Sequence, residues 1–186
     1  MSDLAARLRT LPAFPEEMPD LDLEALPEDP TELFLAWLED AIASGARQPH
    51  AMTFQTLLAD GSPVGRTLIL KDLDEAGFHV STRNTSRKAQ QVREDPRAAM
   101  TFFWRESGRQ VQIAGTVVAL GEDVSQRDWL ARPTSDGQPN PEWQVYALRP
   151  ERFEFLQARA DRNHVRAGYV REGGRWSHGP VTTPAG

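Results

Sequence analysis

Two periodicities divide the chain. Between residues 29 and 45, apolar side chains recur every three or four positions: Leu33, Phe34, Trp37, Leu38, Ala41 and Ile42. That spacing puts them on one face of an α-helix, which must then be buried. Asp29 suits the N-cap, Pro30 the first helical position, Glu32 the capping-box position and Gly45 the stop. From residue 51 the pattern shortens to strands. "AMTFQTLL", "GRTLILKDL", "GFHVST", "RAAMTFFW" and "RQVQIAGTVVAL" are rich in β-branched and aromatic residues, and "ADGSP" and "DEAG" mark hairpin turns between the first three. Helical patterns return only at 86–94 and 122–131, and "WQVYALRPERFEFLQAR" and "HVRAGYVREGGRW" supply more strand. The expected fold is mostly β and antiparallel, a barrel or sandwich with flanking helices.

Ahead of the first helix, residues 11–30 hold five prolines and seven acidic residues among scattered leucines. This stretch is expected to be an irregular arm lying on something else. The expected division is an arm at 1–28, one domain at 29–176 and a tail at 177–186. A formal charge of −6 leaves no broad basic surface for nucleic acid. The absence of cysteine removes disulfides, Cys-ligated zinc and a thiol nucleophile. No stretch has the length of a signal peptide's apolar core or of a membrane span, so a soluble cytoplasmic protein is expected.

Against that acidic average, "STRNTSRKAQ" (81–90) concentrates hydroxyls and cations where a strand runs into a helix. Ser86 can cap the helix that starts at Arg87, leaving first-turn N–H groups beside the hydroxyls of Thr85 and Ser86. Such a terminus binds anions, and Arg87 and Lys88 add charge-assisted bonds. Taken alone, so short a stretch reads first as an ordinary solvated cap with surface cations. Arg66 and Lys71, on the strand before, bring further cations, for which a phosphate monoester is the economical explanation. They are five residues apart, so a regular strand points them to opposite faces, and one shared site requires a bend.

"GRTLILKDLDEAGFHVSTRNTSRKAQQVREDPRAAMTFFW" followed by "RQVQIAGTV" resembles the pyridoxine/pyridoxamine 5′-phosphate oxidases. "LPEDPTELFLAWLEDAI" and "LRPERFEFLQARADRNHVRAGYVR" resemble the same family in the same order, over roughly residues 26–176. The resemblance implies an FMN-binding split β-barrel, working as a homodimer with the flavin at the subunit interface. By position it implies that Arg66 contacts the flavin phosphate and Lys71 the substrate. Thr82, Ser86, Arg87 and Lys88 would hold the FMN phosphate and ribityl chain, and Gln110 would lie against the flavin. In "DRNHVR", Arg162 and His164 would face the substrate and Arg166 the FMN. Alternation on a strand would put all three on one face.

The sequence departs from the family where the substrate phosphate belongs. The family's "Y-x-x-x-R-P-x-x-S" is "DWLARPTSD" here, so Lys71 and Arg132 remain, while Asp128 and Asp136 stand at the Tyr and Ser positions. Asp128 and Arg132 would be an i,i+4 pair if the helix continues that far. The connection 134–142 is shortened, Leu156 replaces a Trp that usually packs near flavin, and the Arg-x-x-Tyr lid motif and R-L-x-P ending are missing. The leading expectation is an oxidase that passes a hydride from substrate to FMN and then to O₂, releasing H₂O₂. One alternative is a sibling oxidase, phenazine-type, acting on a reduced ring without a phosphate. A second is a non-catalytic flavin-binding protein, against which the retained Arg162 and His164 argue.

Overall fold

The structure is a computed structural model that describes all residues except Met1, Ala13, Glu16 and 183–186. Helix α1 (Asp3–Arg9) precedes the long helix α2 (Pro30–Ala43), and strands β1 (Ala51–Leu57), β2 (Pro63–Ile69), β3 (Asp72–Asp74) and β4 (Gly77–Arg83) follow. Next come α3 (Arg87–Glu94), β5 (Arg97–Trp104), β6 (Arg109–Ala119) and α4 (Glu122–Leu130). The chain then adds β7 (Trp143–Gln157), β8 (Val165–Glu172) and β9 (Arg175–Pro180). Every strand pairing is antiparallel.

The sequence-based elements recur with local differences. The arm holds α1, capped by Ser2, whose side chain accepts from Ala5 N–H. Strand β9 carries the sheet through Pro180, into the stretch expected to be a tail; the tail's last residues, 183–186, lie outside the described residues.

Helix α2 begins and stops where its sequence directs. The Asp29 carboxylate accepts Thr31 N–H at 2.9 Å. Gly45 takes φ 75°, and its N–H and that of Ala46 bond back to the carbonyls of Ile42 and Ala41. Those two bonds are a Schellman stop, which needs a residue at ease with positive φ. The reciprocal capping bond expected from Glu32 does not form among the described residues; the Thr31 hydroxyl donates to Asp29 instead, at 2.7 Å.

The buried face of α2 fills the hollow of the sheet. The ring of Phe34 lies 5.0 Å from Phe78 and 4.9 Å from Phe102, and Trp37 lies 5.3 Å from Phe155. Among the described residues, the charge that enters this core is that of Arg109, and it is partnered. Arg109 sits 4.6 Å over the Trp37 ring, donates to Asp40 at 2.7 Å and to Gln157 Oε1 at 3.0 Å.

Along the sheet the strand path runs β2-β1-β5-β6-β7-β4-β3, with β8 and β9 continuing from β7. The two ends of the path, β2 and β3, are consecutive in the chain and separated only by Leu70 and Lys71. Leu70 N–H still bonds to His50 O, whereas Lys71 N–H bonds to His79 O. One extended segment therefore leaves the β1 side and crosses to the β4 side, and the barrel is split there rather than closed by a continuous ladder. Strand β7 serves both halves, pairing β4 through its first residues and β8 through its last. It bends at a register shift opposite Ala114 and Gly115, where Pro150 donates no ladder bond. A side chain at Gly115 would strike the Arg149 carbonyl.

The contacts of Phe34 make α2 the plug of the core. Phe34→Ala is expected to lower the unfolding free energy in a urea titration by about 3–5 kcal/mol. A loss below about 1 kcal/mol would mean that the hollow collapses around the gap.

Candidate active site

The turn from β4 into α3 gathers the first group of side chains. Ser86 caps α3, accepting Ala89 N–H, and the first-turn N–H groups of Arg87 and Lys88 have no intrahelical acceptor. Lys88 Nζ donates to Thr82 Oγ1 at 3.1 Å, and the Thr82 and Ser86 hydroxyls lie 3.2 Å apart. Arg66 reaches this place from the inner face of β2. Its guanidinium donates to the Phe54 carbonyl, to Thr56 Oγ1 at 2.7 Å and to Gln91 Oε1 at 2.8 Å. Thr56 and Gln91 also hydrogen-bond each other, so the arginine is held by one strand and one helix together.

The charges in this group are of one sign. Among the described residues, no ion pair involves Arg66, Arg87 or Lys88. Burial pushes the Lys88 ammonium below its ordinary value of 10.5, and the nearby Arg66 and Arg87 push it further. Arg66 is lowered in the same way, by burial first and Arg87 second. The burial has a visible cause: Phe54, Leu68, Val80, Ala89 and Val92 form an apolar floor around Lys88. Ser81, next to Thr82, has a buried hydroxyl without a hydrogen-bond partner.

Lys71 belongs to a different group. Because the chain crosses between Ile69 and Asp72, Lys71 faces α4, where its Nζ lies 3.7 Å from Asp128 Oδ1. Asp128 Oδ2 accepts Trp143 Nε1–H at 2.7 Å. Arg132 is outside α4 and forms no i,i+4 pair with Asp128; its guanidinium lies 4.3 Å over the Trp143 ring. Asp136 joins neither, its carboxylate accepting Gln138 N–H in an exposed turn. The shortened connection is tied to α4 from within the chain. Gln126 brackets Asn140 with two bonds of 2.8 Å, and Trp129 Nε1–H donates to Gln138 O at 2.8 Å.

A third group lies on the outer face of the sheet. Register places Phe103, Gln110, Leu156 and Arg166 in one row across β5, β6, β7 and β8. Directly opposed side chains on one face of a sheet are near neighbours. The expected alternation of Arg162, His164 and Arg166 on one strand does not occur. Strand β8 starts at Val165, and Arg162 sits in a turn at φ 66°, so only Arg166 is a strand residue.

His164 Nδ1 accepts Arg159 N–H at 3.0 Å, so this imidazole carries its proton on Nε2 and offers a donor there. Neither Arg162 nor His164 pairs with Asp161, whose carboxylate accepts from Asn163. The arm lies over this group, with Phe14 edge-on to both His164 and Phe103 and Asp20 paired to Arg159 at 3.1 Å.

The structure thus brings Arg66, Thr82, Ser86, Arg87 and Lys88 together, and separates them from Lys71, Asp128 and Arg132 and from the row of Gln110 and Arg166. Three contributors escaped the sequence reading. Thr56 carried a weak signal, as a polar residue on the inward face of "AMTFQTLL". Gln91 lies one turn beyond Arg87 on α3. Trp143 and Asp128 are fifteen residues apart, which no periodicity links.

Against known proteins, residues 38–157 match the family described as pyridoxamine 5′-phosphate oxidase. Residues 143–179 match the pyridoxine 5′-phosphate oxidase C-terminal dimerisation region. The chain belongs to the pyridoxamine 5′-phosphate oxidase family. A pyridoxine/pyridoxamine 5′-phosphate oxidase of Rubrobacter xylanophilus is 34% identical over 182 residues, covering 80% of this chain and 84% of that one. One from Pseudomonas fluorescens is 37% identical over 188 residues, covering 81% and 86%. Among solved structures, PhzG from Burkholderia lata, in complex with tetrahydrophenazine-1-carboxylic acid, superposes with a TM-score of 0.83. It is 26% identical and covers 89% of this chain and 99% of its own. An FMN-binding relative from Nostoc punctiforme shares the fold at a TM-score of 0.67 and 18% identity, over 86% of this chain and 99% of its own.

Membership makes the chain an FMN-dependent oxidoreductase with the family's split-barrel fold. The donor set at α3 fits that cofactor's phosphate: three cations, two hydroxyls and a helix N-terminus, with no carboxylate paired among them. The crowding has a measurable consequence. Between its lowered pKa and 10.5, Lys88 binds more protons in the unfolded chain, so its contribution to stability rises with pH there. Below that window the cost is fully present. Lys88→Met is therefore expected to raise the unfolding free energy of the FMN-free protein at neutral pH, by under about 1 kcal/mol because solvent screens the charges. The gain disappears as pH rises through that window. A variant destabilised at neutral pH would show that the Thr82 hydrogen bond outweighs the repulsion.

Proposed function

We propose that the protein is a flavin oxidase in which Arg66, Arg87 and Lys88, with the Thr82 and Ser86 hydroxyls, hold the phosphate and ribityl end of FMN. The observation that carries this reading is the trio of mutually repelling cations at a helix N-terminus in a chain of net charge −6. Gln110 and Arg166, two columns apart in one row of the outer face, then lie toward the flavin ring in a homodimer. Bound FMN would supply the two-electron acceptor for oxidation of the substrate, with O₂ as the final acceptor and H₂O₂ as its two-electron, two-proton product.

The protein's part is binding and orientation. Nε2–H of His164 donates a hydrogen bond to the reacting substituent of the substrate, and Arg162 supplies a cation beside it. His164 in this tautomer fixes the substrate rather than accepting its proton, because the Nδ1 lone pair is occupied by Arg159 N–H. Lys71 and Arg132 face the far end of the substrate. The cytoplasm, where no disulfides are needed, suits a cysteine-free chain.

Two substrate readings follow from that far end. A pyridoxine or pyridoxamine 5′-phosphate substrate agrees with the relatives' names and with the retained Lys71, Arg132, Arg162 and His164. A reduced ring without a phosphate, of the kind in the PhzG complex, is favoured by the Lys71–Asp128 pair. Two measurements test the reading. Arg87→Ala is expected to weaken FMN binding by about 1.5–3 kcal/mol, the range of a charge-assisted hydrogen bond, in a fluorescence titration. Unchanged affinity would put the phosphate elsewhere. Anaerobic mixing of the FMN-loaded protein with pyridoxine 5′-phosphate separates the substrates: bleaching of the flavin band supports the phosphate ester, and its absence at high concentration supports the unphosphorylated ring.

A further inference from the structure

Lys71 and Arg132 offer two cations, but only one has its charge free. Lys71 is paired with Asp128, and the two side chains are only 23% and 18% exposed. Asp128 cannot turn away without loss, because its other oxygen accepts the Trp143 indole N–H at 2.7 Å. Arg132 has the opposite situation. It makes no ion pair among the described residues, and its buried Nε has no hydrogen-bond partner. Its guanidinium lies 4.3 Å over Trp143 and 5.8 Å over Trp129, and the two indole rings are 5.4 Å apart. The cluster is two cations and one anion beside a pair of aromatic faces.

This charge sum discriminates between ligands. A phosphate monoester carries about −1.5 to −2 at neutral pH and would lie against the Asp128 carboxylate. A carboxylate carries a single charge, which matches the single uncompensated cation, and its two oxygens suit the planar guanidinium fork. Indole faces favour a flat ring bearing that carboxylate.

We propose that Asp128 is a specificity-determining residue: by neutralising Lys71 it excludes phosphate monoesters and leaves Arg132 to anchor a ring-borne carboxylate. The proposal rests on the oxidase reading above, for which this cluster holds the far end of the substrate.

The test uses the FMN-loaded protein, with loading first verified by flavin absorbance. Failure to take up FMN would count against the oxidase reading itself, before any ligand is added. The loaded protein is then titrated calorimetrically with pyridoxine 5′-phosphate and with 1-naphthoate, a flat ring carboxylate. The wild type is expected to bind 1-naphthoate at least about tenfold more tightly than the phosphate ester, a difference of about 1.4 kcal/mol. Asp128→Asn keeps an acceptor for Trp143 while removing the charge, and is expected to shift the ratio toward the phosphate ester by about tenfold or more. Equal or tighter binding of the phosphate ester by the wild type, no saturable binding of either probe, or an unchanged ratio in Asp128→Asn would overturn the proposal.

Discussion

The repulsion among Arg66, Arg87 and Lys88 is the constraint around which the rest of the site is arranged. Three neighbouring cations raise the free energy of the folded protein unless something answers them, and no carboxylate of the described chain is paired with any of them. The surrounding structure holds Arg66 and Lys88 in place regardless. Thr56 and Gln91 fix Arg66, Thr82 fixes Lys88, and the Ser86 cap sets the direction of α3. Rigid, unneutralised positive charge is what a phosphate-bearing cofactor requires of its site. The α2 plug makes that rigidity possible, because Phe34 and Trp37 pack against β4, β5 and β7 at once.

The crossing of segment 63–74 from β1 to β4 gives the site its extent. Had the strand stayed regular, Arg66 and Lys71 would lie on opposite faces of one ladder. Exchange of partners at Leu70 and Lys71 instead sends Arg66 inward to α3 and Lys71 to α4. The split of the barrel and the parting of Arg66 from Lys71 are thus one structural event. The outer-face row of Gln110, Leu156 and Arg166 lies on β6, β7 and β8, and the matched dimerisation region includes the last two of these strands.

Most of the fold was legible because its signals are local. Asp29, Pro30 and Gly45 bounded α2, "ADGSP" and "DEAG" announced the hairpins, and Ser86 marked the start of α3. Family resemblance supplied the candidate residues, and composition alone left "STRNTSRKAQ" undecided between a surface cap and a phosphate cradle. What failed in the sequence reading had assumed regular local geometry or had missed partners distant in the chain. Strand alternation was extended to Arg162 and His164, but a left-handed residue at 162 ends the regular geometry before β8 begins. Asp128 was paired with Arg132 by helical spacing, yet it finds Lys71 and Trp143, which the sheet delivers from elsewhere. The short helix in the arm was missed although Leu4 and Leu8 stand four residues apart, and in the structure both leucines stay exposed.

The central claim is that the α3 cradle recognises a phosphate group, and the most direct measurement compares two ligands that differ only in that group. The FMN-free protein is titrated with FMN and with riboflavin, following quenching of flavin fluorescence. Two or more charge-assisted bonds to the phosphate give FMN an advantage of at least about a hundredfold, and Arg87→Ala narrows it. Riboflavin binding as tightly as FMN would contradict the account, because the cations at α3 would then have no part in holding the cofactor.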